Sequence, residues 1–139
     1  SFYRAVGDTD SEAAFCDLLN RVRQAFPEPV TVEMLLPVLV QACAHYRSQG
    51  VFNCLLSNGD WLFSFCSTKL AYITRRAPFG PACLTDAELT VDFQAETSPN
   101  DVVTVLATAP LTSNEAWTLM QPGEWRLWRR GECIADGSV

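Results

Sequence analysis

Hydrophobic spacing splits the chain into a helical first third and a strand-rich remainder. Ala14, Phe15, Leu18, Leu19, Val22 and Phe26 recur at steps of three and four, one face of a helix. They predict a helix over Asp10–Ala25, stopped by Pro27-Glu28-Pro29. Leu35, Leu36, Leu39, Val40, Cys43 and Tyr46 form a second stripe. It predicts a helix that Thr31 caps and that runs to Gln49, with Gly50 as its stop. Pro37 lies inside this stripe, so the helix either bends there or starts later than Thr31. The short Pro-rich turn between the two predicts an antiparallel pair forming one layer.

At Val51 the period changes from 3.6 to 2. Asn58-Gly59 signals a hairpin, because a type I′ turn needs positive φ at both central residues. A two-residue loop there sets Ser57 opposite Asp60 and Leu55 opposite Leu62. One face then carries Phe52, Cys54, Leu56, Trp61, Phe63 and Phe65, all apolar, while the other, mixed, still carries Leu55 and Leu62. Neither face is built for water, which predicts a sheet covered on both sides. Cys54 and Cys66 fall on opposite faces and should not bridge. Further strands are expected over residues 70–74, 82–84, 89–93 and 102–107, the last a β-branched run that reads as a central strand. Residues 75–81, 97–101 and 110–115 read as loops. Residues 117–120 are expected to pair with a last hairpin, in which strand 124–130 turns at Gly131-Glu132 into Cys133-Ile134, followed by a frayed tail from Ala135. Helices first and antiparallel strands after define an α+β layered domain.

Composition narrows the partners. The 139 residues suit one domain with a core of its own, and 48% of them are apolar. A net charge of −6 without a basic block argues against nucleic acid. Arg126, Arg129 and Arg130, interleaved with Trp125 and Trp128, read as a solvated strand face, and Arg75-Arg76 as a solvated loop. No apolar run approaches the ~20 residues of a bilayer-spanning helix, and no secretory signal opens the chain, so no membrane partner is expected. The six cysteines form no C-x-x-C pair and read as small buried hydrophobes in a reducing, cytoplasmic setting. The single histidine, His45, has no partner histidine, so neither a metal site nor a Cys–His dyad is expected, and no cofactor is implied.

The candidate chemistry sits in Gly7-Asp8-Thr9-Asp10-Ser11-Glu12. Thr9 and Glu12 have capping-box spacing, with the Thr hydroxyl taking a backbone N–H three residues on and Glu12 reaching back to the N–H of Thr9. Such a box is usually a helix start and nothing more. Here, though, two carboxylates, Asp8 and Asp10, accompany it, and Asp10 is the candidate for holding a small cation such as an amino acid's α-ammonium. Ser1 has the residue type of an N-terminal nucleophile, but a chain start is more simply a boundary.

The stretch Gly7-x-Thr9-Asp10-Ser11-Glu12 with its amphipathic helix resembles the S/T-D-S/T-E motif of the class II glutamine amidotransferases, which are N-terminal nucleophile hydrolases. The resemblance is closest to their small stand-alone bacterial members. It continues through Gly50-Val51-Phe52-Asn53, Leu55-Leu56-Ser57-x-Gly59, Cys66-Ser67-Thr68, Ile73-Thr74-Arg75-Arg76-Ala77-Pro78-Phe79-Gly80, Pro99-Asn100-Asp101-Val102-Val103-Thr104-Val105 and Pro122-Gly123-Glu124-Trp125-Arg126-Leu127.

That resemblance implies a four-layer α-β-β-α sandwich and a cysteine thiolate that attacks the glutamine side-chain amide, releasing glutamate and ammonia. It places the nucleophile, an Asn-Gly oxyanion pair and the Arg stretch that holds the substrate carboxylate before Ser1. Residues 1–139 are then the C-terminal part of a single amidotransferase domain, with no catalytic residue and no metal ligand in this chain. None of the six cysteines, nor Ser1, nor Asn58-Gly59 matches the family's catalytic groups. The implied substrate-binding residue is Asp10, with Thr9 and Ser11 as caps and orienters and Asp8 solvated. Three readings follow: a glutaminase that passes ammonia to an accepting partner enzyme or works alone, a hydrolase of another γ-glutamyl amide, or a non-catalytic module that kept the amino-acid pocket wall.

Overall fold

Both helices form where the stripes place them, and the residues that start the first one do more than cap it. The computed structural model describes residues 1–86, 90–92 and 100–139, which divide into a helical unit, residues 1–52 with Val139, and a strand unit, residues 53–138. In the helical unit, α1 spans Asp10–Ala25 and α2 spans Val32–Gln49. Thr9 is the N-cap of α1, its hydroxyl accepting the N–H of Glu12 at 3.3 Å. Glu12 does not return to the N–H of Thr9, as a capping box would. Its carboxylate takes the N–H of Val6 at 2.8 Å and of Gly7 at 2.9 Å. Gly7 permits this, since a Cβ there would stand 2.6 Å from Glu12 Oε2. Two turns on, Asn20 accepts the N–H groups of Phe2 and Tyr3 at 3.0 and 2.9 Å and donates to the Tyr3 carbonyl at 2.9 Å. Residues 2–7 are thus tied along α1 by its own side chains.

α2 starts directly after Thr31 and continues through Pro37, so the later start is excluded. Thr31 holds the N-cap position without a side-chain bond; its carbonyl accepts from Met34 and Leu35. Leu18, Leu39, Ala42 and Cys43 are buried in the helical unit.

The strand unit contains nine strands among the described residues: β1 Cys54–Ser57, β2 Leu62–Phe65, β3 Ala71–Arg76, β4 Pro81–Cys83, β5 Thr90–Asp92, β6 Val102–Ala107, β7 Thr118–Leu119, β8 Glu124–Arg129 and β9 Glu132–Ser138. They form an antiparallel sheet in the order β1-β2-β8-β9, a three-stranded one in the order β6-β3-β7, and the pair β4-β5. Of the strand expected over residues 89–93, positions 89 and 93 lie outside the described residues, as does part of the loop expected over 97–101. β2 is buried on both faces, with Phe63, Ser64 and Phe65 at 0% exposure, as a sheet covered on both sides predicts, while Leu55 on β1 is half exposed. Ser64 is satisfied there: its hydroxyl takes the Trp128 indole N–H at 2.9 Å and donates to the Arg126 carbonyl at 3.2 Å. A second cluster joins Cys66, Leu70 and Met120 with Tyr72 and Leu106. All six cysteines are free thiols.

Several expectations are corrected. The first hairpin pairs Ser57 with Leu62 and Leu55 with Ser64, a shift of two residues from the two-residue loop. Asn58 closes the wider loop through its side chain, Oδ1 accepting from Asp60 at 2.9 Å and Trp61 at 3.2 Å, while Ser57 Oγ donates to the Trp61 carbonyl at 2.6 Å. A two-residue slip preserves side-chain parity, so Cys54, Leu56, Phe63 and Phe65 still share one face. β1 begins at Cys54 rather than Val51, because Asn53 is used elsewhere: its Oδ1 accepts from Ser67 at 2.8 Å and Thr68 at 3.0 Å, pinning the turn after β2.

The type I′ geometry appears instead in the last hairpin, at Arg130-Gly131, with φ of 51° and 79°. The expected turn at Gly131-Glu132 is therefore one residue late, because Arg129 pairs with Glu132. Gly131 also lies where a Cβ would stand 2.4 Å from the Val102 carbonyl oxygen, so the hairpin tip packs directly on β6. β9 extends to Ser138, so the tail is paired rather than frayed, with a register shift after Leu127 that sets Ile134 in a bulge. β7 pairs with β3, not with the last hairpin. Among the described residues β6 pairs only with β3, which lies between β6 and β7, whereas the apolar run of β6 suggests a central strand.

Arg75 and Arg76 are not loop residues, and of Arg126, Arg129 and Arg130 only Arg130 is exposed without an ion pair among the described residues. Arg75 and Arg76 belong to β3, where Arg75 forks onto Glu115 at 2.8 and 2.6 Å and Arg76 pairs with Glu132. Glu115 also accepts from Thr112 at 2.9 Å, and Arg75 foremost holds its carboxyl below the usual range. Arg126 bonds Glu124 at 2.7 Å and lies 4.9 Å from the Tyr72 ring, and Arg129 reaches Asp60 at 3.3 Å.

Candidate functional site

The arrangement that starts α1 separates three acids by task. Thr9 satisfies the first turn, Glu12 satisfies the approach segment, and Asp10 is left over. Its side chain is exposed at the first position of the helix and has neither a hydrogen bond nor an ion pair among the described residues. A carboxylate at a helix N-terminus is stabilised by the local dipole and by nothing else here, which leaves both oxygens open to a ligand.

Asp10 and Ser11 border a cleft of about 510 Å³ within the helical unit. From α1 it is lined by Asp10, Ala14, Asp17 and Arg21, which lie on one helical stripe. From α2 come His45, Tyr46 and Gln49, with Phe52 beyond the helix end. Of the expected binding residues, the structure brings Asp10 and Ser11 to the cleft and uses Thr9 in the cap. Asp8 is exposed, as expected.

Along the cleft, Tyr46 donates to Asp17 Oδ2 at 2.5 Å and Arg21 Nε reaches the same oxygen at 2.6 Å. The Tyr46 hydrogen bond foremost, with Arg21 adding to it, holds the Asp17 carboxyl below its ordinary range against the opposing effect of burial. Burial and then Asp17 push the Tyr46 phenol above its own. Asp17 keeps the Arg21 guanidinium charged. His45 stacks edge-on to Tyr46 at 5.9 Å and sits within 3.4 Å of Gln49.

Sequence reasoning missed Asp17, Arg21 and Tyr46. A signal existed for the first two, because residues 10, 14, 17 and 21 follow helical steps of four, three and four. Tyr46 reads as one more apolar stripe residue, since nothing local shows where its phenol goes. Among the described residues no group of His, Cys, Asp or Glu is placed to hold a metal ion, and no helix is long and apolar enough to cross a membrane.

The chain belongs to the family described as class-II glutamine amidotransferases, whose profile matches residues 1–139. It is 50% identical over 133 residues to the Escherichia coli (strain K12) protein named "Putative glutamine amidotransferase YafJ", covering 95% of this chain and 52% of that one. A Haemophilus influenzae protein named "Putative glutamine amidotransferase" is 36% identical over 135 residues, with 97% and 46% covered. The crystal structure of a "predicted glutamine amidotransferase" from Pseudomonas aeruginosa PA01 superposes with a TM-score of 0.89 at 75% identity, over 97% of this chain and 53% of the other. The chain thus shares that structure's α+β fold and spans about half the length of these relatives.

Proposed function

We propose that these residues are the C-terminal part of one class II amidotransferase domain that hydrolyses the side-chain amide of glutamine to glutamate and ammonia. The observation that carries this reading is the uncommitted Asp10 carboxylate at the edge of a cleft. A site for a free amino acid needs an anion for its α-ammonium, and Asp10 fits that need while Thr9 and Glu12 relieve it of every structural duty. Ser11, beside it on the cleft, and Thr9, in the cap, orient it. The nucleophile in this reading is a cysteine outside the chain. Its thiolate attacks the amide carbon, ammonia leaves with the amide nitrogen, and water then cleaves the thioester. The family membership and the half-length match to its relatives support placing that cysteine elsewhere. The ammonia passes to water or to an accepting enzyme.

The test is Asp10→Asn in the full-length protein. A charge-assisted hydrogen bond contributes about 1.5–3 kcal/mol, so KM for glutamine should rise roughly 10- to 150-fold. The melting temperature should stay near that of the wild type, because Thr9 is the cap. An unchanged KM would leave Asp10 a solvated helix residue and sink the reading.

A further inference from the structure

A second cavity, of about 220 Å³, lies within the strand unit, where the tips of the first and last hairpins meet β6. Its apolar walls are Trp61, Leu62, Leu106 and Trp128. Trp61 and Trp128 are buried, at 8% and 4% exposure, but their indoles are not equally satisfied. Trp128 donates its N–H to Ser64 at 2.9 Å. The Trp61 N–H makes no hydrogen bond among the described residues, although a buried indole normally finds an acceptor.

The hydroxyls at the cavity have no proton to offer a ligand. Ser57 donates to the Trp61 carbonyl and Thr104 to the Gly131 carbonyl, each at 2.6 Å. Among the lining side chains the donors still open are then the Trp61 N–H and the Arg130 guanidinium, which has no hydrogen bond or ion pair among the described residues. Arg130 also holds φ at 51°, the one positive value outside glycine among the described residues. A left-handed backbone costs arginine more than it costs glycine or asparagine, and no contact within the turn offsets that cost. Strain of this kind persists where the side chain is needed at a ligand.

Charge and size narrow that ligand. Asp60, the acid at the cavity, pairs with Arg129 at 3.3 Å. That pair is neutral as a unit, so Arg130 leaves one uncompensated positive charge and the site favours an anion. The cavity is smaller than the roughly 300–1,000 Å³ of drug-sized sites, which excludes a nucleotide or a peptide and suits a single ring. Indole walls favour an aromatic ring, and a guanidinium takes a planar carboxylate through two parallel hydrogen bonds.

We propose that this cavity binds a small aromatic monocarboxylate, its ring among the apolar walls and its carboxylate held by the Arg130 guanidinium and the Trp61 N–H. The site depends neither on Asp10 nor on the amidotransferase reaction.

The test follows the indole N–H signal of Trp61 by NMR in the full-length protein, identified by its loss in Trp61→Phe. Benzoate should move this signal saturably, and benzamide, the same ring without the charge, should bind about tenfold more weakly. Arg130→Gln should weaken benzoate about tenfold and leave benzamide as it was, and Arg130→Lys, which keeps the charge without the fork, should recover part of the loss. Arg130 is exposed in a turn, so both variants should melt close to the wild type. Benzoate that leaves the Trp61 signal unmoved overturns the proposal, whether the cavity rejects it or the rest of the protein fills the site. So does benzamide that binds as tightly as benzoate, or a benzoate affinity unchanged in Arg130→Gln.

Discussion

At the first turn of α1, residues of similar chemistry do different work because their neighbours differ. Thr9, Asp10 and Glu12 all carry side-chain oxygens, yet backbone N–H groups claim Thr9 and Glu12, and among the described residues none claims Asp10. The surplus acid is legible from the sequence, since a cap needs one acceptor and the stretch offers more. The route of Glu12 to Val6 and Gly7 is not, because it depends on how closely the chain before the helix folds back. The same scale governs Asp17. Its depressed folded-state carboxyl contributes stability that is present above its unfolded value, near 3.8, and is lost as pH falls through the lower folded value. Tyr46→Phe removes the leading cause of that depression. Asp17 is about half exposed, so the variant should lose only about 1 kcal/mol at pH 7. Urea unfolding should show the gap to wild type narrowing below about pH 4; a gap constant from pH 7 to pH 3 would contradict the assignment.

Among elements, the hairpins show what a turn signal can and cannot settle. Asn58-Gly59 has the strongest two-residue hairpin chemistry in the chain, yet the loop is wider, because Asn58 and Ser57 side chains bond the backbone beyond the tip. Face assignment survived because the shift was even. The real type I′ turn carries Arg130 at φ 51°, a position that asparagine or glycine adopts with less strain. Arg130 is exposed and has no hydrogen bond or ion pair among the described residues to offset that strain. Arg130→Asn should therefore stabilise the protein by a few tenths to about 1 kcal/mol, seen as a rise of a few degrees in melting temperature. Gly131→Ala should do the opposite and more strongly, since positive φ and the Val102 carbonyl both exclude a Cβ. A melting temperature unaffected by Gly131→Ala would mean the tip does not pack on β6 as described.

For the molecule as a whole, the proposed division of the site makes a plain prediction. The 139-residue chain should release no ammonia from glutamine in a coupled ammonia assay, whereas the full-length protein should. Turnover by the chain alone would place the nucleophile among its own residues. The sequence by itself determined the helices, both ends of α1 and the stop of α2, the α+β order and the surplus acid at α1, because periodicity and capping are local and repeat within a few residues; where α2 starts, at Thr31 or later, it left open. It also carried the side-chain parity of the first hairpin, which any even register shares. Only the tertiary structure decided that β3 rather than β6 is central, that the last strand runs to Ser138, that the paired arginines are ion-paired strand residues, and that Arg21 and Tyr46 meet Asp17 in the cleft that Asp10 borders. Apart from the Arg21–Asp17 pair, four residues apart on α1, each of those depends on partners distant in sequence, and pairing across such distances leaves no periodic trace in the chain.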